Sequence, residues 1–210
     1  MKRFKTAFKD RLPSVVKDSL KYVIPRKLID KARSNEVYFV SFPKCGRSWL
    51  KLMICDIVYR QFPNFKRFDD VSTHLLYKVN TSIPRIIFTH DGNPMYKLPS
   101  ELSENKSFYK YARVVLLVRD PRDVMVSWFY EYKNRVGQES KRNEIKDSKP
   151  SDFIYNEVGG LKTLVSFYNI WWDQQSLPKD FLLVRYEDLR KDTFLNFNKI
   201  LQFLGFSDKI

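Results

Sequence analysis

Cysteine and histidine are both scarce, with two of each in 210 residues. Cys45 and Cys55 cannot build a disulfide framework. If one helix carries both, their ten-residue separation spans roughly 15 Å, too far to bridge. A reducing, cytoplasmic setting fits that usage. No His, Cys, Asp and Glu cluster shows metal-ligand spacing, so no metal is expected. No apolar run approaches the roughly 18 residues of a membrane-spanning helix. The first eleven residues are charged throughout and lack an apolar signal core, so secretion is not expected. The Walker pattern G-x-x-x-x-G-K-[ST] is absent, which argues against a magnesium-bound nucleoside triphosphate as ligand. Neither an internal repeat nor a nucleic-acid recognition motif is present, so no specific nucleic-acid partner is expected.

What remains is a packed, basic chain. Apolar residues make up 43% and aromatics 16%, enough for a substantial core in a single domain. The net charge of +14 is uneven: residues 1–33 hold eleven Lys and Arg against three Asp. In that segment Phe4, Phe8, Leu12, Val15, Leu20, Val23 and Ile24 recur at roughly helical spacing, interrupted by Pro13. Two readings fit. Such a helix can pack its apolar stripe on the domain, or it can lie on an anionic membrane surface as a peripheral contact. Residues 34–210 are expected to form the globular domain.

Short apolar runs then alternate with longer helical patterns. Glu36–Phe42, Arg85–Thr89, Arg113–Arg119 and Phe181–Tyr186 read as strands buried on both faces. Gly46–Gln61 is apolar nearly all round and is expected to be a central helix. Asp120-Pro121-Arg122-Asp123 opens the next, with Asp120 as N-cap and Pro121 at the first helical position. Further helices are expected over about Gly160–Gln175 and Asp192–Leu204, the last stopped by Gly205. This alternation implies an α/β fold of three layers, a doubly wound parallel sheet carrying a P-loop-like phosphate-binding turn. Residues 62–84 and 136–150 look irregular, and the second is polar enough to be either a substrate lid or a solvated insertion.

In such a sheet, ligands bind beyond the C-terminal ends of the strands. The first strand runs into Phe42-Pro43-Lys44-Cys45-Gly46-Arg47-Ser48-Trp49 and then a helix. There backbone N–H groups, a helix dipole and the Lys44 charge can cradle an anion. The other strands deliver His90, Arg119 and Tyr186 to the same edge. An imidazole beside a phosphate turn can take a proton from an attacking hydroxyl or amine. Arg119 and Ser127, eight residues apart, could hold two sides of one phosphate, though Arg119 could instead pair with Asp120 or Asp123. His74, without such neighbours, reads as structural.

These segments resemble the cytosolic sulfotransferase family. Phe42–Trp49 is similar to its 5′-phosphosulfate loop, and Val118-Arg119-Asp120-Pro121-Arg122-Asp123-Val124-Met125-Val126-Ser127 to its 3′-phosphate motif. Phe88-Thr89-His90 resembles the segment of its catalytic histidine. Arg185-Tyr186-Glu187-Asp188-Leu189 and Trp171-Trp172 resemble two further family segments, all in the family's order. The resemblance implies the donor 3′-phosphoadenosine 5′-phosphosulfate (PAPS) and transfer of its sulfuryl group to a small-molecule, glycan or lipid hydroxyl or amine. Lys44, Gly46, Arg47 and Ser48 would hold the phosphosulfate, and Trp49 would stack on adenine. Arg119 and Ser127 would take the 3′-phosphate, Tyr186 would contact adenine, and His90 would be the general base. Lys44 would also stabilise the leaving oxygen.

The chain departs from the family pattern at three places. Phe88 stands where many members carry a lysine two residues before the histidine. Losing such a donor can cost on the order of a hundredfold in rate. Cys45 lies at a helix N-terminus, where a thiol pKa is expected to fall and oxidation or alkylation to block the site. After Ile210 the family's serine/phenylalanine and R-K-G segments do not follow, which implies a C-terminally truncated piece or a short member. Three readings therefore follow in order: a sulfotransferase, a non-catalytic binder of PAPS or its product PAP, and a P-loop nucleotide kinase.

Overall fold

The computed structural model describes residues 35–63, 73–136 and 149–206. The expectations for the basic segment 1–33, for the polar stretch 137–148 and for the His74 side chain lie outside these residues.

Four strands make one sheet: β1 (Glu36–Ser41), β2 (Arg85–Thr89), β3 (Arg113–Val118) and β4 (Asp180–Arg185). Their order is β2-β1-β3-β4, and every pairing is parallel. Val, Ile, Leu and Phe dominate because the two inner strands are covered on both faces. Each β1 residue is buried, as are Val114–Leu117. The outer strands differ from the expectation. Only Ile86 in β2 and Val184 in β4 are buried, since each has a neighbour on one side only.

Helix α1 (Arg47–Gln61) follows β1, and α2 (Pro121–Glu131) follows β3. A short α3 (Pro150–Ile154) precedes α4 (Leu161–Asp173), which leads into β4. The chain then turns through α5 (Tyr186–Lys191) into α6 (Thr193–Leu204). Register shows which face each helix covers. Phe39 and Phe88 are paired neighbours on one face, stacked with centroids 4.6 Å apart, and Lys51 of α1 lies over the Phe88 ring. Arg113, in register with Val37 on that face, reaches Phe203 of α6. The opposite face carries Tyr38, whose ring meets Tyr109 edge-on; Tyr109 in turn meets Trp171 of α4. Helices thus cover both faces of a parallel sheet, the three-layer arrangement the alternation implied.

Helix α1 is less central than its composition suggested. It buries the stripe Leu50, Ile54, Cys55, Val58 and Tyr59, while Leu52 is 54% exposed. Spacing of about four residues is that of a helix lying on a sheet with its far side uncovered. The caps match expectation. Asp120 accepts from the Arg122 N–H ahead of Pro121, and Gly205 ends α6 at φ +85°.

Candidate functional site

The strand ends meet as the topology requires, because four parallel strands present their C-terminal ends to one edge. After β1 the backbone enters the left-handed region at Lys44 (φ +68°) and again at Gly46 (φ +91°), then starts α1. A lysine rarely adopts that conformation. Here the Arg119 Nη1 donates to the Lys44 carbonyl at 3.1 Å and holds the turn from the β3 side. Gly46 is required for a second reason. A Cβ there would lie 2.6 Å from Cδ2 of Tyr186, so the tyrosine ring rests directly on the glycine. The Arg119 guanidinium in turn sits 4.4 Å from the centre of the Tyr186 ring, and Trp49 meets that ring edge-on.

Behind the loop, Tyr168 of α4 fastens β1 to β3. Its hydroxyl accepts from the Arg119 N–H and donates to the Arg119 carbonyl, both at 3.1 Å, and lies 3.3 Å from Cys45 Sγ. Burial and the Cys45 contact hold this phenol well above its ordinary pKa. Glu187, one residue past Tyr186, accepts from the Asp120 N–H at 2.8 Å, so the β4 end grips the start of α2.

Cys45 corrects an expectation. Although it precedes a helix N-terminus, it is fully buried, and burial pushes its thiol up to about 12. Desolvation outweighs the dipole, and the thiol is a packing group beneath the loop rather than a reactive one on it.

His90 follows β2. Its Nδ1 lies 2.8 Å from the Ser41 carbonyl, which can only accept, so Nδ1 carries the proton and Nε2 keeps its lone pair. Burial, and secondarily the charge of Arg47, lower the imidazole to about 3. Burial also lowers the Arg47 guanidinium. The turn after His90 is fixed by Asp91, which accepts from Lys106 Nζ at 2.6 Å, Tyr109 Oη at 2.7 Å and Trp171 Nε1 at 3.1 Å. Lys106 is itself buried, so this is a paired internal charge with its acceptor saturated.

These residues enclose a cleft of about 460 Å³. Lys44, Gly46, Arg47, Ser48, Trp49, His90, Arg119, Ser127 and Tyr186 all line it, so all nine candidate residues share one cavity. Arg119 makes the Asp123 contact considered from sequence, at 3.6 Å, yet its buried Nε has no protein partner. An unpartnered guanidinium nitrogen in a cationic cleft suits a phosphate oxygen. Pro43 of the Lys44 loop also lines the cleft, and sequence reasoning missed three other walls: Met95, Trp128 and Glu131. Phe88 does not line the cleft; its ring is committed to Phe39.

Residues 34–210 match the sulfotransferase domain. The chain belongs to the sulfotransferase family. Human sulfotransferase 2A1 is 31% identical over 197 residues, covering 86% of this chain and 63% of the relative. Cytosolic sulfotransferase 1 of Arabidopsis thaliana is 27% identical over 221 residues, covering 90% and 62%. The backbone resembles mouse sulfotransferase SULT7A1 complexed with PAP at TM-score 0.54 and 21% identity, covering 91% of this chain and 67% of that one. It resembles retinol dehydratase in complex with retinol and PAP at TM-score 0.53 and 18% identity, covering 85% and 62%. The chain thus spans a little under two thirds of the length of these sulfotransferase relatives.

Proposed function

We propose that the cleft binds PAPS and that the protein transfers its sulfuryl group to a hydroxyl or amine of a small acceptor. The observation carrying this reading is the gathering of all nine motif residues around one cavity. In it Lys44 and Arg47 face one end of the ligand, and Arg119 with Ser127 the other. Transfer of this kind proceeds in line through a loose transition state, so positioning and charge stabilisation do most of the work. His90 takes the acceptor proton on Nε2, the nitrogen left basic by the Ser41 contact. Its low basicity partly reflects the charge of Arg47. Burial is the larger cause, and a phosphosulfate beside Arg47 offsets only the smaller part that this charge contributes. Lys44 stabilises charge on the leaving oxygen. The irregular segments 62–84 and 136–150, which lie partly outside the described residues, are where the acceptor class would be set.

A non-catalytic PAPS or PAP binder is the second reading, favoured by Phe88 in place of a cation. Radiolabelled PAPS with pooled phenol, steroid, amine, glycan and lipid acceptors separates the two. Transfer supports the enzyme, and PAP binding without transfer to any acceptor supports the binder. Lys44→Ala and Arg119→Ala are each expected to weaken PAP binding at least tenfold, as loss of a charged hydrogen bond does. His90→Ala should abolish transfer and leave PAP binding within twofold. Normal transfer by that variant would remove His90 as the base.

A further inference from the structure

Glu131 is the cleft residue whose charge opposes the proposed ligand. It ends α2, and its carboxylate is ion-paired with Lys44 Nζ. Both side chains are about a quarter exposed (27% and 26%), so the pair is only partly screened by water. The helix places it there deliberately in register: Ser127 and Glu131 are four residues apart and share one face, with Trp128 beside them on the cleft wall. One helix face therefore brings to the cleft both a hydroxyl and the carboxylate that pairs with Lys44. Helix α2 then widens into a π-helical turn at Tyr132–Val136, immediately after Glu131. Such turns recur at functional sites.

We infer that Glu131 is a positioning residue for Lys44: it competes with the donor's 5′-phosphosulfate, and with the 5′-phosphate of the product, for the lysine ammonium. An anion entering the loop must displace the carboxylate from Lys44. The displaced negative charge stays in the same cleft, so the exchange of one ion pair for another costs affinity. Glu131 thereby weakens the hold on both nucleotides and favours release of the product. This rests on the reading of the cleft as a PAPS site.

Equilibrium dialysis of PAP against the full chain tests it. Glu131→Gln, similar in size but neutral, is expected to tighten PAP on the order of tenfold, the scale of one partly exposed charge pair. Glu131→Asp keeps the charge and should not tighten it, whereas a purely structural role would move both variants alike. The gain should vanish when Glu131→Gln is combined with Lys44→Met. Glu131→Ala provides a second neutral variant that must shift in the same direction. Unchanged or weaker PAP binding by the neutral variants overturns the inference, as does a gain that survives without Lys44. If wild type binds no PAP, the donor reading falls separately. Pyrophosphate, which needs only the Lys44 loop, then tests Glu131 with the same expected ranking. Failure of every variant to bind pyrophosphate overturns the inference as well.

Discussion

At the scale of single residues, the cleft works because a few side chains hold others in states they would not adopt alone. Lys44 is kept in a left-handed turn by the Arg119 hydrogen bond, and His90 is kept as one tautomer by the Ser41 carbonyl. Cys45 is kept protonated by burial, with its thiol pushed up to about 12. Native protein at pH 8 should therefore leave Cys45 unalkylated by iodoacetamide, with labelling measured by mass spectrometry before and after unfolding in guanidinium. Fast labelling of the native state would show the loop to be open. The sequence made Lys44, His90, Arg119 and Tyr186 legible because each stands at a strand end, and strand ends are marked by local pattern. It did not reveal Glu131 or Tyr168. Glu131 lies 87 positions from Lys44, at the end of α2, and Tyr168 lies 123 from Cys45, in the middle of α4, and neither is marked by its local sequence. Pairings across such separations are set by packing, which no window of sequence contains.

At the scale of elements, the strands were readable as apolar runs and their parallel pairing as strand–helix alternation. Their unequal burial was not, because an edge strand and an inner strand can share one composition. Glu36 illustrates the limit. A charged residue opening a buried strand looks misplaced, yet the Tyr38 hydroxyl donates to it at 2.9 Å and Arg85 of β2 lies 3.5 Å away. The helix ends were better marked, since their signals are local. Asp192 caps α6 by accepting from the Leu195 N–H at 2.9 Å. Replacing it with alanine should cost about 1 kcal/mol, read as a lower denaturation midpoint in urea. Unchanged stability would mean that packing of Phe197, Ile200, Leu201 and Leu204 alone holds the helix.

At the scale of the whole molecule, His90 ties the site to the pH dependence of folding. Its folded pKa, lowered to about 3 chiefly by burial, lies below the ordinary 6.5. Between those values the unfolded chain binds a proton that the folded chain does not, so stability falls as pH drops from 6.5 toward 3. The slope from this one group approaches about 1.4 kcal/mol per pH unit. Denaturation midpoints of wild type and His90→Gln, compared at pH 7.5 and pH 5, isolate it, because other titrating groups cancel in the difference. Wild type should lose more stability than the variant over that interval. Equal losses would show that the imidazole charges freely in the folded protein.

Arg119, Tyr186 and Gly46 form a stack running from the end of β3 through the end of β4 to the loop after β1. The aromatic ring in its middle acts as a shim of fixed thickness between the Arg119 guanidinium and the loop backbone at Gly46. A larger residue at Gly46, or a smaller one at Tyr186, therefore changes the gauge of the cleft and leaves the charges of Lys44 and Arg119 intact.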